Sequence, residues 1–166
     1  MKIHVMGGEK TGKTSIVTQM ADEAVETKFL PRRHDILHKT IRSSLGKEID
    51  TEIIDTCGGL DYVESKGRNA DGFIVCFSLS NGYTLDDLEK CIKSAKKHQN
   101  GDNFVCVVCG NKSDICDSPE LQLNERLNSI VSKYGAKFTK TSAFDKESVE
   151  NAFRLVVDMA IEKNSV

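Results

Sequence analysis

Tryptophan is missing from this chain of 166 residues, proline occurs only at Pro31 and Pro119, and aromatic residues make up 6%. So little proline excludes a polyproline or collagen-like architecture. No apolar run approaches the roughly 20 residues that cross a bilayer. The opening MKIHVMGG passes too soon into glycine and charge to act as a secretory signal, so the cytoplasm is the expected compartment. Neither sign of charge dominates: the formal net charge is -2, which leaves no broad basic surface and argues against a nucleic-acid partner. Six cysteines are then expected as reduced thiols. Cys106 and Cys109 form a C-x-x-C pair, but residues three apart on a strand point to opposite faces, so core packing is the expectation. Cys57, Cys76, Cys91 and Cys116 have no histidine or cysteine at metal-ligand spacing.

Short apolar runs alternate with longer segments of helical period, which predicts an α/β domain with a mainly parallel sheet and helices on both faces. Strands are expected at Ile3–Met6, Phe73–Leu79, Phe104–Val108 and Ala136–Lys140, with a hairpin of Leu37–Ser44 and Glu48–Asp55 turning at Leu45-Gly46-Lys47. Helices are expected over Lys13–Ala21 and Thr84–His98. A third should open on Ser118 and Pro119 as cap and first turn and stop at Gly135, and a last one should be capped by Asp145. Their inward stripes would be Leu85, Leu88, Cys91, Ile92 and Ala95; Leu123, Leu127, Ile130 and Val131; and Val149, Phe153, Val156, Val157 and Ala160. No repeat or linker divides the chain, so residues 1–166 read as a single domain.

Chemistry is concentrated in four segments. Gly7-Gly8-Glu9-Lys10-Thr11-Gly12-Lys13-Thr14 fits G-x-x-x-x-G-K-[ST] between an expected strand and an expected helix. Glycine lets the backbone curl so that N–H groups of Glu9, Lys10, Thr11, Gly12, Lys13, Thr14 and Ser15 can face phosphate, and the helix adds its positive end. Lys13 would reach the outer phosphates and stabilise their charge. Thr14 would offer a hydroxyl to Mg2+. Asp55-Thr56-Cys57-Gly58 gives D-x-x-G at a strand end: Asp55 could hold the same metal, and Gly58 could donate an N–H to the terminal phosphate. Asn111-Lys112-Ser113-Asp114 follows a buried strand. The Asp114 carboxylate can accept both hydrogens that guanine presents at N1 and its 2-amino group, and it opposes the acceptor pattern of adenine. Lys112 can lay its stem over the base. Thr141-Ser142-Ala143 could bring the N–H groups of Ser142 and Ala143 to the guanine carbonyl.

In this order and on these elements the four segments resemble the small GTPases of the Ras superfamily over essentially the whole chain. The resemblance implies a P-loop NTPase fold with a six-stranded, mainly parallel sheet carrying one antiparallel edge strand. It also implies GTP or GDP as ligand, Mg2+ as cofactor, and hydrolysis of GTP. Protein effectors and regulators would act through segments 29–40 and 57–70, on a monomer. The features fit a Ras-like or a divergent Rab-like member, with signalling or membrane traffic as the setting. Phe29 is the expected aromatic partner of guanine. Lipid anchoring through Glu162–Val166 is not expected, because no cysteine follows Cys116. A membrane-peripheral location would require a lipidated tail beyond Val166.

The sequence also departs from the family. Efficient members carry a water-orienting glutamine directly after the D-x-x-G glycine, where this chain has Gly59. A phosphate-loop glycine is replaced by Glu9, which either crowds the terminal phosphate or points outward. The family's first-switch threonine falls at Arg33; the only nearby threonine, Thr40, belongs to the expected hairpin strand. Arg32 and Arg33 read as a solvated basic turn, with phosphate contact as the alternative. The expectation is a GDP/GTP switch with slow hydrolysis. The alternative is a hydrolysis-deficient scaffold that holds its nucleotide as a structural ligand.

Overall fold

The computed structural model describes residues 1–22, 36–56, 69–80, 84–99, 103–115 and 121–165. In chain order these form β1 (Lys2–Gly7), α1 (Lys13–Met20), β2 (Ile36–Arg42), β3 (Glu48–Asp55), β4 (Gly72–Ser78), α2 (Thr84–His98), β5 (Cys106–Asn111), a 3-10 turn (Ser113–Ile115), α3 (Leu121–Lys133), β6 (Lys137–Lys140) and α4 (Lys146–Asn164). The six strands make one sheet in the order β2-β3-β1-β4-β5-β6. Only the β2–β3 pair is antiparallel, so the expected mainly parallel sheet with one antiparallel edge strand is the one observed.

Alternation along the strands splits the core in two. Ile3, Val5, Ile53, Ile74, Cys76, Val107 and Cys109 face α1 and α4, where Val149, Phe153, Val156 and Val157 are buried. Met6, Phe73, Val75, Phe77, Cys106 and Val108 face the other way, against Leu85, Leu88, Ile92 and Ala95 of α2 and Leu127 and Ile130 of α3. Cys106 and Cys109 thus lie in opposite layers, as strand geometry requires. Burial pushes the Cys91 thiol up to about 11 and that of Cys106 higher still, so these thiols stay protonated and inert. Cys57 and Cys116 lie outside the described residues. Among the described residues no helix is long and apolar enough to cross a membrane.

Most boundaries fall within two residues of the sequence reading, and β5 is the exception. It begins at Cys106 rather than Phe104, because the Val105 amide donates to Gln99 Oε1 at 3.1 Å instead of to the ladder. It also continues through Gly110 and Asn111, which pair with Phe77 and Ser78. That extension carries Asn111 to the carboxyl edge of the sheet. α3 ends as expected: Gly135 takes φ +61, and the Ala136 amide returns to Val131 O at 3.0 Å. The Ser118-Pro119 start lies outside the described residues. Asp145 caps α4 by accepting from the Ser148 amide at 3.3 Å.

One buried polar side chain on β1 has no evident role in the sheet. His4 is fully buried, its ring 5.8 Å from that of Phe73, and neither ring nitrogen has a hydrogen-bond partner among the described residues. Desolvation, helped by Lys2, lowers its pKa from 6.5 to about 4. The unfolded chain therefore binds a proton between pH 6.5 and 4 that the folded chain refuses, so stability falls as pH drops through that window. Urea unfolding of the wild type should lose about 1–3 kcal/mol more across this window than unfolding of His4→Leu. Parallel pH profiles for the two proteins would remove His4 as the cause.

Candidate functional site

The parallel strands deliver four loops to one edge of the sheet. β1 lies at its centre, with β3 on one side and β4 on the other, so the loop after β1 opens where the strand order reverses direction. Ligands of open α/β sheets collect at such a point.

The loop from Gly7 to Thr14 is curled by three positive φ values: Gly7 at 146°, Lys10 at 59° and Gly12 at 90°. A Cβ on Gly7 would stand 2.3 Å from the Cys76 carbonyl oxygen, and one on Gly12 would stand 2.2 Å from Asn111 Nδ2. Glycine is required at both places by space as well as by conformation. Two side chains close the curl from within. Thr11 Oγ1 donates to Gly8 O at 2.9 Å, and Lys13 Nζ donates to the same oxygen at 2.6 Å. The ammonium of Lys13, a residue only 6% exposed, is thereby held across the loop. α1 begins at Lys13 with Gly12 in the cap position and no side-chain cap, so its first N–H groups remain available to an anion. Glu9 and Lys10 are exposed on the rim, while Ser15 is half-buried in the first turn.

Asp55 ends β3, which pairs in parallel with β1. Its buried carboxylate accepts from Thr14 Oγ1 at 2.7 Å. A hydroxyl and a carboxylate side by side, next to the curled Gly7–Thr14 loop, form a hard-oxygen donor set that suits Mg2+, which takes few protein ligands and completes its shell with water and phosphate. Of the rest of D-x-x-G, Thr56 is buried with its hydroxyl on Val5 O, while Gly58 and the neighbouring Gly59 lie outside the described residues. Phe29 and Arg33 lie outside them as well.

Asn111, 1% exposed, joins three loops. Its Nδ2 donates to Thr11 O at 2.9 Å, and its Oδ1 accepts from Thr141 Oγ1 at 3.1 Å. The spacing of the N-K-S-D segment suggests ligand contact for Asn111, and the structure gives it this structural tie in addition. The backbone then turns sharply through Lys112 at φ 61°, and Ser113 N donates to Thr141 O at 3.1 Å. Asp114 stands exposed in the 3-10 turn, oriented by Ser142 Oγ, which donates to its Oδ1 at 2.8 Å. Ser142 and Ala143 are both buried.

Sequence reasoning passed over one cluster beside this site. Asp22 follows α1 at φ 61° and bridges Lys146 Nζ at 2.5 Å and Lys39 Nζ at 2.6 Å. The Lys146 contact, with Lys39 second, pulls its carboxyl down to about 2. It ties Lys39 on β2 to Lys146 at the start of α4, and no periodicity announces such a contact.

The sequence profile of the Ras family matches residues 2–162. Ras-related protein Rab-27A of Homo sapiens is 24% identical over 176 residues, covering 98% of this chain and 79% of that protein. Ras-related protein Rab-8A of Bos taurus is 27% identical over 175 residues, covering 99% of this chain and 83% of that protein. Ras-related protein rapC of Dictyostelium discoideum is 28% identical over 181 residues; the match covers 99% of this chain but only 61% of rapC.

The geometry makes Asn111 a structural tie regardless of ligand. Asn111→Ala leaves Thr11 O and Thr141 Oγ1 without their buried partner, and it should lower unfolding stability in the absence of nucleotide by about 2–3 kcal/mol. A loss below about 0.5 kcal/mol in urea unfolding would show that the loops are held by other means.

Proposed function

The chain belongs to the Ras family, and on that premise we propose that it is a monomeric guanine-nucleotide switch whose GTP hydrolysis is slow. Members of the family bind GDP or GTP with Mg2+. The observation that carries the reading here is the meeting of the curled loop, the Thr14–Asp55 pair and the oriented Asp114 at one edge of the sheet. The loop and Lys13 would hold the phosphates. Thr14 and Asp55 would hold Mg2+, which would supply positive charge beside the phosphates. Asp114 would read the base, with Lys112 over one face and the Ser142 and Ala143 amides beside its carbonyl.

Slow hydrolysis rests on residue identity. Gly59 has no side chain with which to orient water, and Glu9 places a carboxylate on the loop that approaches the terminal phosphate. Effectors and regulators would read segments 29–40 and 57–70.

A specific observation favours a second reading, that of a scaffold with a permanently held nucleotide. Thr40 is the only threonine of the 29–40 segment. It sits in β2 opposite Asp50, whose Oδ1 accepts from its hydroxyl at 2.8 Å. A threonine fixed in a strand is not free to follow the terminal phosphate. Partner binding that differs between the GDP and GTP forms would exclude the scaffold.

Two measurements address the proposal. Asp114→Asn should weaken GTP binding by more than tenfold and shift preference toward a xanthine nucleotide, whose 2-position carries an acceptor instead of an amino group. Unchanged GTP affinity would contradict the base assignment. Single-turnover hydrolysis should run below the roughly 10^-4 per second of intact members acting without a partner, and Gly59→Gln combined with Glu9→Gly should raise it. A wild-type rate at or above that value would refute slow hydrolysis.

A further inference from the structure

Two helix ends in this domain carry charges of the wrong sign. A helix is negative at its C-terminus and positive at its N-terminus. Yet Asp22, a carboxylate, follows the C-cap residue of α1, and Lys146, an ammonium, opens α4. Asp22 also takes φ 61°, the left-handed value at which α3 stops on Gly135. Glycine or asparagine would meet both local demands better.

The reason for the aspartate lies across the fold. Its two oxygens are divided between lysines from distant elements: Oδ1 stands 2.5 Å from Lys146 Nζ, and Oδ2 accepts from Lys39 Nζ at 2.6 Å. Lys39 lies on the same face of β2 as Leu37 and Ile41, which pack with α1 and α4. Lys146 has a partner on its own helix in Glu150, but at 3.7 Å, so its shorter contact is the one that leaves the helix. A lone exposed ion pair holds little, whereas one carboxylate shared by two ammoniums, each oxygen with its own partner, is a small network and holds more.

These contacts join the supports of the two halves of the site. α1 starts at Lys13 and Thr14, on the phosphate side, and Asp22 lies just past its other end. The first turn of α4 carries Ser148, whose Oγ accepts from the Ser142 amide at 3.0 Å, and Ser142 Oγ in turn donates to Asp114 Oδ1 at 2.8 Å. We propose that Asp22 is a positioning residue for nucleotide retention: by holding the end of α1 to the start of α4 and to β2, it keeps the phosphate side and the base side of the site together and slows release of the bound nucleotide. The role rests on the guanine-nucleotide reading above. A nucleotide held at its phosphates and at its base leaves when these two supports part, so a tie between them acts on the release rate more than on the encounter rate. With the Asp22 and Lys146 side chains about half exposed, the tie is open to screening by salt.

Release of a fluorescent GDP analogue, chased by excess GDP in Mg2+, provides the test. Asp22→Asn keeps the side-chain shape and suits both the left-handed backbone and the helix end, so the fold is retained. It should release the analogue about fivefold faster than wild type and bind it at an unchanged rate. Lys146→Gln and Lys39→Gln should each speed release about twofold in the wild-type background and add nothing to Asp22→Asn, because the three residues act as one unit. High KCl should speed release from wild type more than from Asp22→Asn. If Asp22→Asn releases the analogue at the wild-type rate, or if the lysine substitutions add fully to it, the positioning role is wrong while the nucleotide reading stands. Wild-type protein that takes up no analogue would overturn both.

Discussion

The carboxamide of Asn111 is the constraint on which the site depends. One side chain, buried at the end of β5, holds the Thr11 carbonyl with its nitrogen and the Thr141 hydroxyl with its oxygen. The first bond fixes the Gly7–Thr14 loop against β5, and the second fixes the loop after β6 against the same strand. Gly12 must then be glycine, because a Cβ would occupy the space of the carboxamide nitrogen. The sheet contributes by extending β5 beyond its apolar run, so that Asn111 reaches the edge where β1 releases its loop. A hydrogen-bonded network of this kind is strong when complete and costly when one member is lost.

From this tie the site divides into a rigid half and a half whose character is set by substitution. The rigid half comprises the curled loop with Lys13, the Thr14–Asp55 pair, and Asp114 oriented by Ser142. These groups would bind phosphate, metal and base in the order in which the strands present them. The other half is where family members usually perform hydrolysis and switching. Here glycine stands at 59, glutamate at 9 and arginine at 33. On the proposed reading binding and hydrolysis would be separable in this chain, because the groups assigned to the first stand together while the residues expected to speed the second are absent from the sequence positions where the resemblance puts them.

How much could be read from the residues depended on the range of the interaction. The sheet was legible because burial on both faces gives continuous apolar runs such as Phe73–Phe77, and the helices because Leu85, Leu88 and Ile92 recur at helical spacing. The curl of the Gly7–Thr14 loop was legible because its glycine spacing is local. Two features were not. The Asn111 tie joins residues 100 positions apart, and the Asp22 bridge reaches Lys39 and Lys146 through the fold alone. Phe29, Gly58 and Gly59 lie outside the described residues, so their placing in the site rests on sequence.

The central claim is that these loops hold a guanine nucleotide. The most direct measurement is to denature the purified protein and identify by chromatography the small molecules released. The account predicts a guanine nucleotide approaching one per chain, with GTP persisting beside GDP because turnover is slow. Recovery of an adenine nucleotide, or of none from protein prepared and kept in Mg2+, would contradict it.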